Sequence, residues 1–272
     1  MHSEKFNLDK LYTKLNVANF CVAQLDLSKF DLIIEPSVGA GAFVKAIPES
    51  YKGTILCYDI EPEFDGAITQ NWFDFDPESI KDYKKVLVLG NPPFGVRNKL
   101  SLDFILKACT LLNLHTIAFI LPNVYNKHTL QSKIPKDLKL VSVTPLNANS
   151  FEYKGDPYKI PTSFYIFSKE GEVDLRFDPT LYTETDDFVY ASATDYDFFV
   201  MGAAPHVVKD KPSDTNRGYY IKVKPQKQVK DIIETFQNIN WKEFGNSSAS
   251  GGVAWFSKPE LIKAYIEGKS RL

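Results

Sequence analysis

Cysteine is scarce in this chain of 272 residues. The three present, Cys21, Cys57 and Cys109, lie far apart and form no CxxC pair. That spacing excludes a disulfide framework and a zinc ribbon, and it fits a reduced, intracellular setting. Long apolar runs are missing as well, since no stretch approaches the ~20 apolar residues that a spanning helix needs. The opening MHSEKFNLDKLYTK carries no apolar leader core. The expectation is therefore a protein with no membrane partner, placed in the cytoplasm, or in the cytoplasm or nucleus of a host cell if its source is viral. An excess of one charge is also lacking: 32 Lys and Arg face 34 Asp and Glu, for a formal net charge of -2. A polyanionic partner would have to be met by a local basic face. Residues 205–230 offer one, with Lys209, Lys211, Arg217, Lys222, Lys224, Lys227 and Lys230 against two Asp, directly after an acidic stretch at 172–204. Solvated hairpin faces account for that pattern equally well. What is abundant is aromatic: 20 Phe, 14 Tyr and 3 Trp, which suit a Phe-rich core first and base stacking second.

The segments FDLIIEP (30–36), GTILCYDI (53–60), KKVLVLG (84–90), HTIAFILP (115–122) and KLVSVTPL (139–146) are short apolar or β-branched runs bounded by Pro, Gly or Asp. They read as strands buried on both faces. LYTKLNVANFCVAQL, AGAFVKAIPES and SLDFILKACTLLN read as helices between them. Alternation of this kind implies parallel βαβ units in an open, doubly wound sheet, with ligands gathering outside the carboxyl ends of the strands. After about residue 160 the pattern changes. SFYIFSK, VDLRF, DFVYASATDYDFFVMG and GYYIKVK read as antiparallel or mixed strands, and QKQVKDIIETFQNI and KPELIKAYIEG as amphipathic helices. The expected division is an α/β domain over 1–170 and an extension over 171–272, separated near the turn KEGEV.

Three turns carry the chemistry. In IIEPSVGAGAF, Glu35 and Pro36 close the first strand, and Gly39 and Gly41 let the backbone of the following turn approach a ligand closely. The motif is not a full GxGxxG, because Val44 stands at the third glycine position, and no GK[ST] follows. A tight turn alone would also account for it. The next strand ends in YDIEP, where Asp59 falls at the spacing from Gly39 at which a carboxylate reaches ribose hydroxyls, and Ile60 offers an apolar face to a base. NWFDFDP then supplies Asp74 and Phe75, either an acid and a ring beside a bound adenine or a helix cap beside a core Phe. The third turn, LGNPPFG, is the most specific. Its prolines fix φ and provide no ladder donor, so the strand must stop at Asn91 in a stiff corner.

EPxxGxG, YDIEP and a strand closing in NPPF, in that order, resemble the class I S-adenosylmethionine-dependent methyltransferases that modify exocyclic amino groups. The closest resemblance is to adenine-N6 DNA methyltransferases whose cofactor motif precedes the catalytic tetrapeptide, of phage, viral or restriction-modification type. It implies a mostly parallel, seven-stranded Rossmann-like methyltransferase sheet with a small α+β C-terminal extension, S-adenosyl-L-methionine as cofactor, and adenine flipped out of DNA as substrate. DKLYTKLNVANFCVAQL resembles the family's N-terminal motif, although Leu15-Asn16 stands where relatives often carry proline. By that match Tyr12 and Thr13 line the cofactor pocket with Glu35, Pro36, Gly39 and Gly41. Asp59 and Ile60 take the ribose and one face of the ring, with Asp74 and Phe75 at the adenine.

The resemblance further implies that the Asn91 side-chain oxygen and the Pro92 carbonyl accept the target amine's N–H groups, that Pro93 stiffens the corner, and that Phe94 stacks on the base. Phe151, in LNANSFEYKGDPYKIPTSFYIF, is the candidate for a second stacking ring, with a Phe covering the sheet edge as the alternative; Tyr153 and Lys154 are weaker candidates. Arg97, Lys99 and the 209–230 segment would track phosphates. The tail SSASGGVAWFSKPELIKAY resembles phage and viral members of the group, with Gly251 and Gly252 near DNA and Ser257 or Lys258 at a phosphate, or Ser257 simply as a cap. No metal is implied. RNA adenine, a protein glutamine amide and a non-catalytic subunit of the same fold remain as alternatives; a dehydrogenase would leave NPPF without a purpose.

Overall fold

The structure, a computed structural model, describes residues 11–147, 149–153, 156–208, 217–244 and 255–272. The chain forms two compact units. The first runs to Tyr125 and resumes over Thr129–Arg176; the second comprises Asn126–His128 and Phe177–Leu272.

The first unit is built from strands β1 (Tyr12–Thr13), β2 (Leu32–Glu35), β3 (Thr54–Asp59), β4 (Ile68–Thr69), β5 (Val86–Gly90), β6 (Leu114–Pro122), β7 (Lys139–Pro145), β8 (Phe151–Tyr153), β9 (Asp156–Tyr158) and β10 (Thr162–Ser168). Seven of them make one sheet in the order β4-β3-β2-β5-β6-β10-β7. β2 pairs in parallel with both β3 and β5, β3 with β4, and β5 with β6, while β10 runs antiparallel between β6 and β7. This is the doubly wound, mostly parallel seven-stranded sheet that the resemblance implies. β2, β5 and β6 are buried along their whole length, which is why they show no alternation of polar and apolar residues.

The pleat still sorts their side chains. Leu32, Ile34, Val86 and Val88 enter one core cluster, with Trp72 and the α3 (Lys99–Ala108) residues Leu102, Ile105 and Ala108. Ile33, Leu87 and Leu89 enter the other, with Ala18 and Cys21 of α1 (Leu15–Val22) and Phe43 of α2 (Ala42–Ala46). Each Val, Leu, Ile or Phe side chain among them removed from water contributes roughly 1.5–3 kcal/mol, and helices on both faces leave the strand ends open.

Two local expectations are corrected. The helix expected from Leu11 begins only at Leu15, because Tyr12 and Thr13 pair instead with Glu152 and Phe151, placing β1 in a small antiparallel sheet with β8 and β9. VDLRF forms no strand. The Asp174 carboxylate there accepts from the backbone N–H groups of Leu140 and Arg176 and from the Arg176 side chain, which ties the segment down as a loop.

In the second unit, β11 (Phe188–Tyr190), β12 (Phe198–Met201), β13 (Val207–Val208) and β14 (Gly218–Val223) form an antiparallel sheet in the order β11-β14-β12-β13. The unit also contains α5 (Val229–Asn238) and α6 (Lys258–Lys269), following the one-turn α4 (His128–Gln131) in chain order. Phe188, Phe198, Phe236, Trp241, Phe256 and Tyr265 fill its core, so much of the aromatic content of this half serves packing. Ser257 caps α6 in a capping box, its N–H donating to Glu260 Oε2 at 2.7 Å.

Candidate active site

The carboxyl ends of the adjacent parallel strands β2 and β5 bring Glu35 and Asn91 together. The loop after Glu35 turns into α2 through Gly39 (φ 48°) and Gly41 (φ 80°). Both conformations disfavour side chains, and a Cβ on Gly41 would collide with the Phe64 ring. The loop is held from β3: Gly39 N–H donates to Asp59 Oδ2 at 2.8 Å, and Val38 N–H donates to the Tyr58 carbonyl at 2.9 Å. Asp59 Oδ1 accepts from Glu61 N–H at 3.0 Å. The carboxylate assigned to ribose thus also fixes the glycine turn, with one backbone N–H on each oxygen.

Asn91 is oriented by two contacts that sequence reading does not anticipate. Its Nδ2 donates to the Leu11 carbonyl at 3.2 Å, and its own carbonyl accepts from Ser37 Oγ at 3.4 Å. With Nδ2 committed, Oδ1 is the end left buried without a partner. Glu35 Oε2 and Thr13 Oγ1 are likewise buried and unpartnered, and all three residues line one cleft of about 50 Å³ together with Tyr12 and Gly39. The Tyr12 ring lies over Gly39, within 3.7 Å of where a Cβ would stand. On β5, Gly90 lies against Glu35, where a Cβ would sit 3.4 Å from Glu35 Cγ.

Glu35 is only 3% exposed. Burial pushes its carboxyl well above the usual range; the Val44 backbone N–H opposes the shift and the charge of Asp59 adds to it. A buried carboxyl with one unpartnered oxygen is an environment suited to a positive group.

The remaining candidates divide. Pro36 and Pro92 are buried and Pro93 is half-buried. Phe94 is 8% exposed and does not line the cleft; its carbonyl accepts from Ser101 N–H at 3.4 Å. Ile60, at 65% exposure, and Asp74 face solvent. Phe75 is core, edge-on to Tyr58 and tilted against Trp72, and the cap of the turn Trp72–Asp74 is Asn71. Phe151 is fully buried in the cluster that holds Phe43, Ile120 and Phe164, so it offers no face for stacking: here the ring covers the sheet.

Arg97 and Lys99 are exposed beyond the corner, Arg97 in the left-handed region at φ 55°. In the basic segment, Lys222 pairs with Asp195 at 2.7 Å and Asp197 at 3.6 Å, and Lys227 with Asp187 at 3.3 Å, which neutralises part of its charge. Asp9, Lys154, Lys209, Lys211, Gly251 and Gly252 lie outside the described residues, as does the side chain of Tyr153. Among the described residues no cluster of three or more His, Cys, Asp or Glu is arranged to hold a metal, and no helix is long and apolar enough to cross a membrane.

No family model matches the chain, and no curated protein matches it. Solved structures do. A protein from Pyrococcus horikoshii described as an RNA methyltransferase is 16% identical with a TM-score of 0.44, over 62% of this chain and 92% of that one. The 23S rRNA methyltransferase ErmE is 11% identical with a TM-score of 0.42, over 61% and 72%. The modification subunit of a protein from Vibrio vulnificus described as a type I restriction enzyme is 13% identical with a TM-score of 0.42, over 96% of this chain and 62% of that one. Likeness at this level is one of chain path and says nothing of substrate.

Proposed function

We propose that the protein is an S-adenosyl-L-methionine-dependent methyltransferase acting on the exocyclic N6 amine of adenine in DNA. The observation that carries this reading is that Thr13, Glu35 and Asn91, each with a buried oxygen that has no partner, line one cleft beside the glycine turn. Leaving such atoms unpaired costs about 1–3 kcal/mol each. The donor set fits the cofactor. Thr13 and Glu35 would hold its cationic amino-acid end, Gly39 and Gly41 would admit it close to the backbone, and Asp59 would accept from ribose hydroxyls. When bound, it supplies a methyl group on positively charged sulfur.

The chain's own work is to prepare the amine. An adenine amino group is a weak nucleophile because its lone pair is shared with the ring. Asn91 Oδ1 and the Pro92 carbonyl accept its two N–H groups, which draws the nitrogen toward a tetrahedral shape and frees the lone pair. The Leu11 carbonyl decides which end of the Asn91 amide does this: with Nδ2 bound at 3.2 Å, the oxygen is the end left without a partner. Pro92 and Pro93 keep both acceptors fixed in advance, so no reorganisation is needed at the barrier. After transfer, the surplus proton leaves through the same acceptors to water, and no strong base is required. The second unit, with Lys230 exposed and Lys224 half-buried, would contact the DNA backbone.

The test is transfer of labelled methyl to duplex DNA, single-stranded DNA and RNA of matched sequence, followed by nucleoside analysis. N6-methyladenine in DNA supports the proposal. Label found only in RNA moves the substrate, and no transfer to any nucleic acid removes the reading.

A further inference from the structure

The arm over Leu11–Lys14 meets the rest of the first unit on two sides. On one, Tyr12 and Thr13 pair with Glu152 and Phe151, Lys14 N–H donates to the Ser150 carbonyl at 3.2 Å, and Lys14 Nζ lies 3.6 Å from Glu152. On the other, the Tyr12 hydroxyl donates to Glu63 Oε1 at 2.6 Å, joining residues 51 positions apart. Glu63 is itself attached to the glycine turn, its N–H donating to the Gly39 carbonyl at 3.3 Å. The arm therefore bridges β8 and the cofactor turn. Immediately before those attachments it presents the Leu11 carbonyl to Asn91 Nδ2.

That last contact matters because a primary amide is nearly two-fold symmetric in shape. Rotation by half a turn would place N–H donors where an acceptor is needed, opposing the N–H groups of the incoming amine. A backbone carbonyl can only accept, so Leu11 removes the degeneracy, provided that the arm stays in place. β1 is two residues long, and a pairing so short holds itself poorly. A charge-assisted hydrogen bond to a carboxylate is a stronger tie than a neutral one.

We infer that Glu63 is a positioning residue for methyl transfer: it fixes Tyr12, hence the arm, hence the orientation of the Asn91 amide. The inference rests on the role proposed for Asn91.

Four variants test it: Glu63→Ala, Glu63→Gln, Tyr12→Phe and the double Tyr12→Phe/Glu63→Ala. The first measurement is hydrogen exchange at the Lys14 N–H in the ligand-free protein. The second is kcat and KM for DNA at saturating cofactor. Glu63→Ala and Tyr12→Phe are expected to speed exchange and lower kcat about threefold to tenfold, the yield of one partly exposed hydrogen bond to a charged group, with KM for DNA unchanged. Glu63→Gln should restore both values in part, because its amide oxygen accepts the same hydroxyl but without the charge, and the double variant should match the Glu63→Ala and Tyr12→Phe singles.

Wild-type exchange and kcat in Glu63→Ala overturn the inference, as do a Glu63→Gln variant as impaired as Glu63→Ala and a double variant whose loss is the product of the singles. Should Glu63→Ala fold poorly, Tyr12→Phe, which deletes a single oxygen, carries the same decision. A wild-type protein that methylates no nucleic acid removes the proposed function instead. Exchange at Lys14 then decides alone: faster exchange in the variants upholds the tie, and unchanged exchange removes it.

Discussion

Replacing Glu35 by glutamine separates the stability of the ligand-free protein from its capacity to hold a cation. The carboxyl is 3% exposed, and burial raises its pKa well above the ordinary value. The folded state thus retains a proton that the unfolded chain has released. Wild-type stability is fullest below the unfolded pKa and is lost as pH rises from there toward the raised folded value. Within that window each pH unit removes about 1.4 kcal/mol, or roughly 3–5 °C of Tm for a domain of about 150–250 residues. Glutamine has the shape of the protonated acid, does not titrate, and keeps an oxygen for the Val44 N–H. The melting temperatures of Glu35→Gln and wild type should therefore be close at about pH 5 and diverge, with the variant higher, as pH rises toward about 8. Calorimetry on the ligand-free proteins measures this, and a difference that stays flat with pH, or falls, refutes the reasoning. The same linkage makes wild-type affinity for S-adenosyl-L-methionine rise with pH, since a positive ligand favours the ionised carboxylate, and Glu35→Gln should flatten that rise.

Three further outcomes are expected. Asn91→Ala should lower kcat about 10²–10³-fold, the usual cost of removing one preorganised polar group at the reacting centre, while cofactor affinity measured by titration calorimetry changes little. Asp59→Ala should show the reverse order, because it frees the N–H groups of Gly39 and Glu61 and loosens the cofactor turn; equal losses of affinity in the two variants would contradict the division of roles. In the second unit, Asp187 is 2% exposed and bound by Tyr265 Oη at 2.7 Å, by Lys227 and by Lys269. Burial alone would raise its pKa, but these partners outweigh it and hold the group below the usual range. That stabilisation is present above the unfolded pKa and is lost as pH falls through the folded one. Asp187→Asn should cost about 2 kcal/mol near neutral pH, a buried-pair loss discounted for the partly exposed lysines. The cost should shrink on acidification in urea melts.

The sheet was legible because β2, β5 and β6 are buried along their length, and short, continuous apolar runs between helical patterns suit a strand covered on both faces. The change to antiparallel or mixed strands at SFYIFSK was legible too, but the position of β10 was not: TSFYIFS is as uniformly buried as its parallel neighbours, and nothing in its composition records that it lies between β6 and β7. The same limit applies to the arm. Tyr12-Thr13 preceding an apolar helical pattern reads locally as helix, and only pairing with Phe151 and Glu152, well over a hundred residues away, draws it into a strand.

At the site, the residues that sequence reveals are those whose type is demanded by backbone chemistry: the glycines at positive φ and the proline corner after Asn91. Phe75 and Phe151 were ambiguous because a core and a base-stacking site require the same ring, and packing decided for the core. The Leu11 carbonyl carries no sequence signal at all, since every residue has one. Thr13, Glu35 and Asn91 come from three separate segments, and each alone is an ordinary polar residue, Glu35 buried and the other two half-buried. Their meeting at one cleft is what distinguishes them: each unpaired oxygen costs about 1–3 kcal/mol, unless a ligand rich in N–H donors and positive charge relieves it. In the proposed transfer an α-ammonium group would meet the demand of Thr13 and Glu35, and an exocyclic amine that of Asn91.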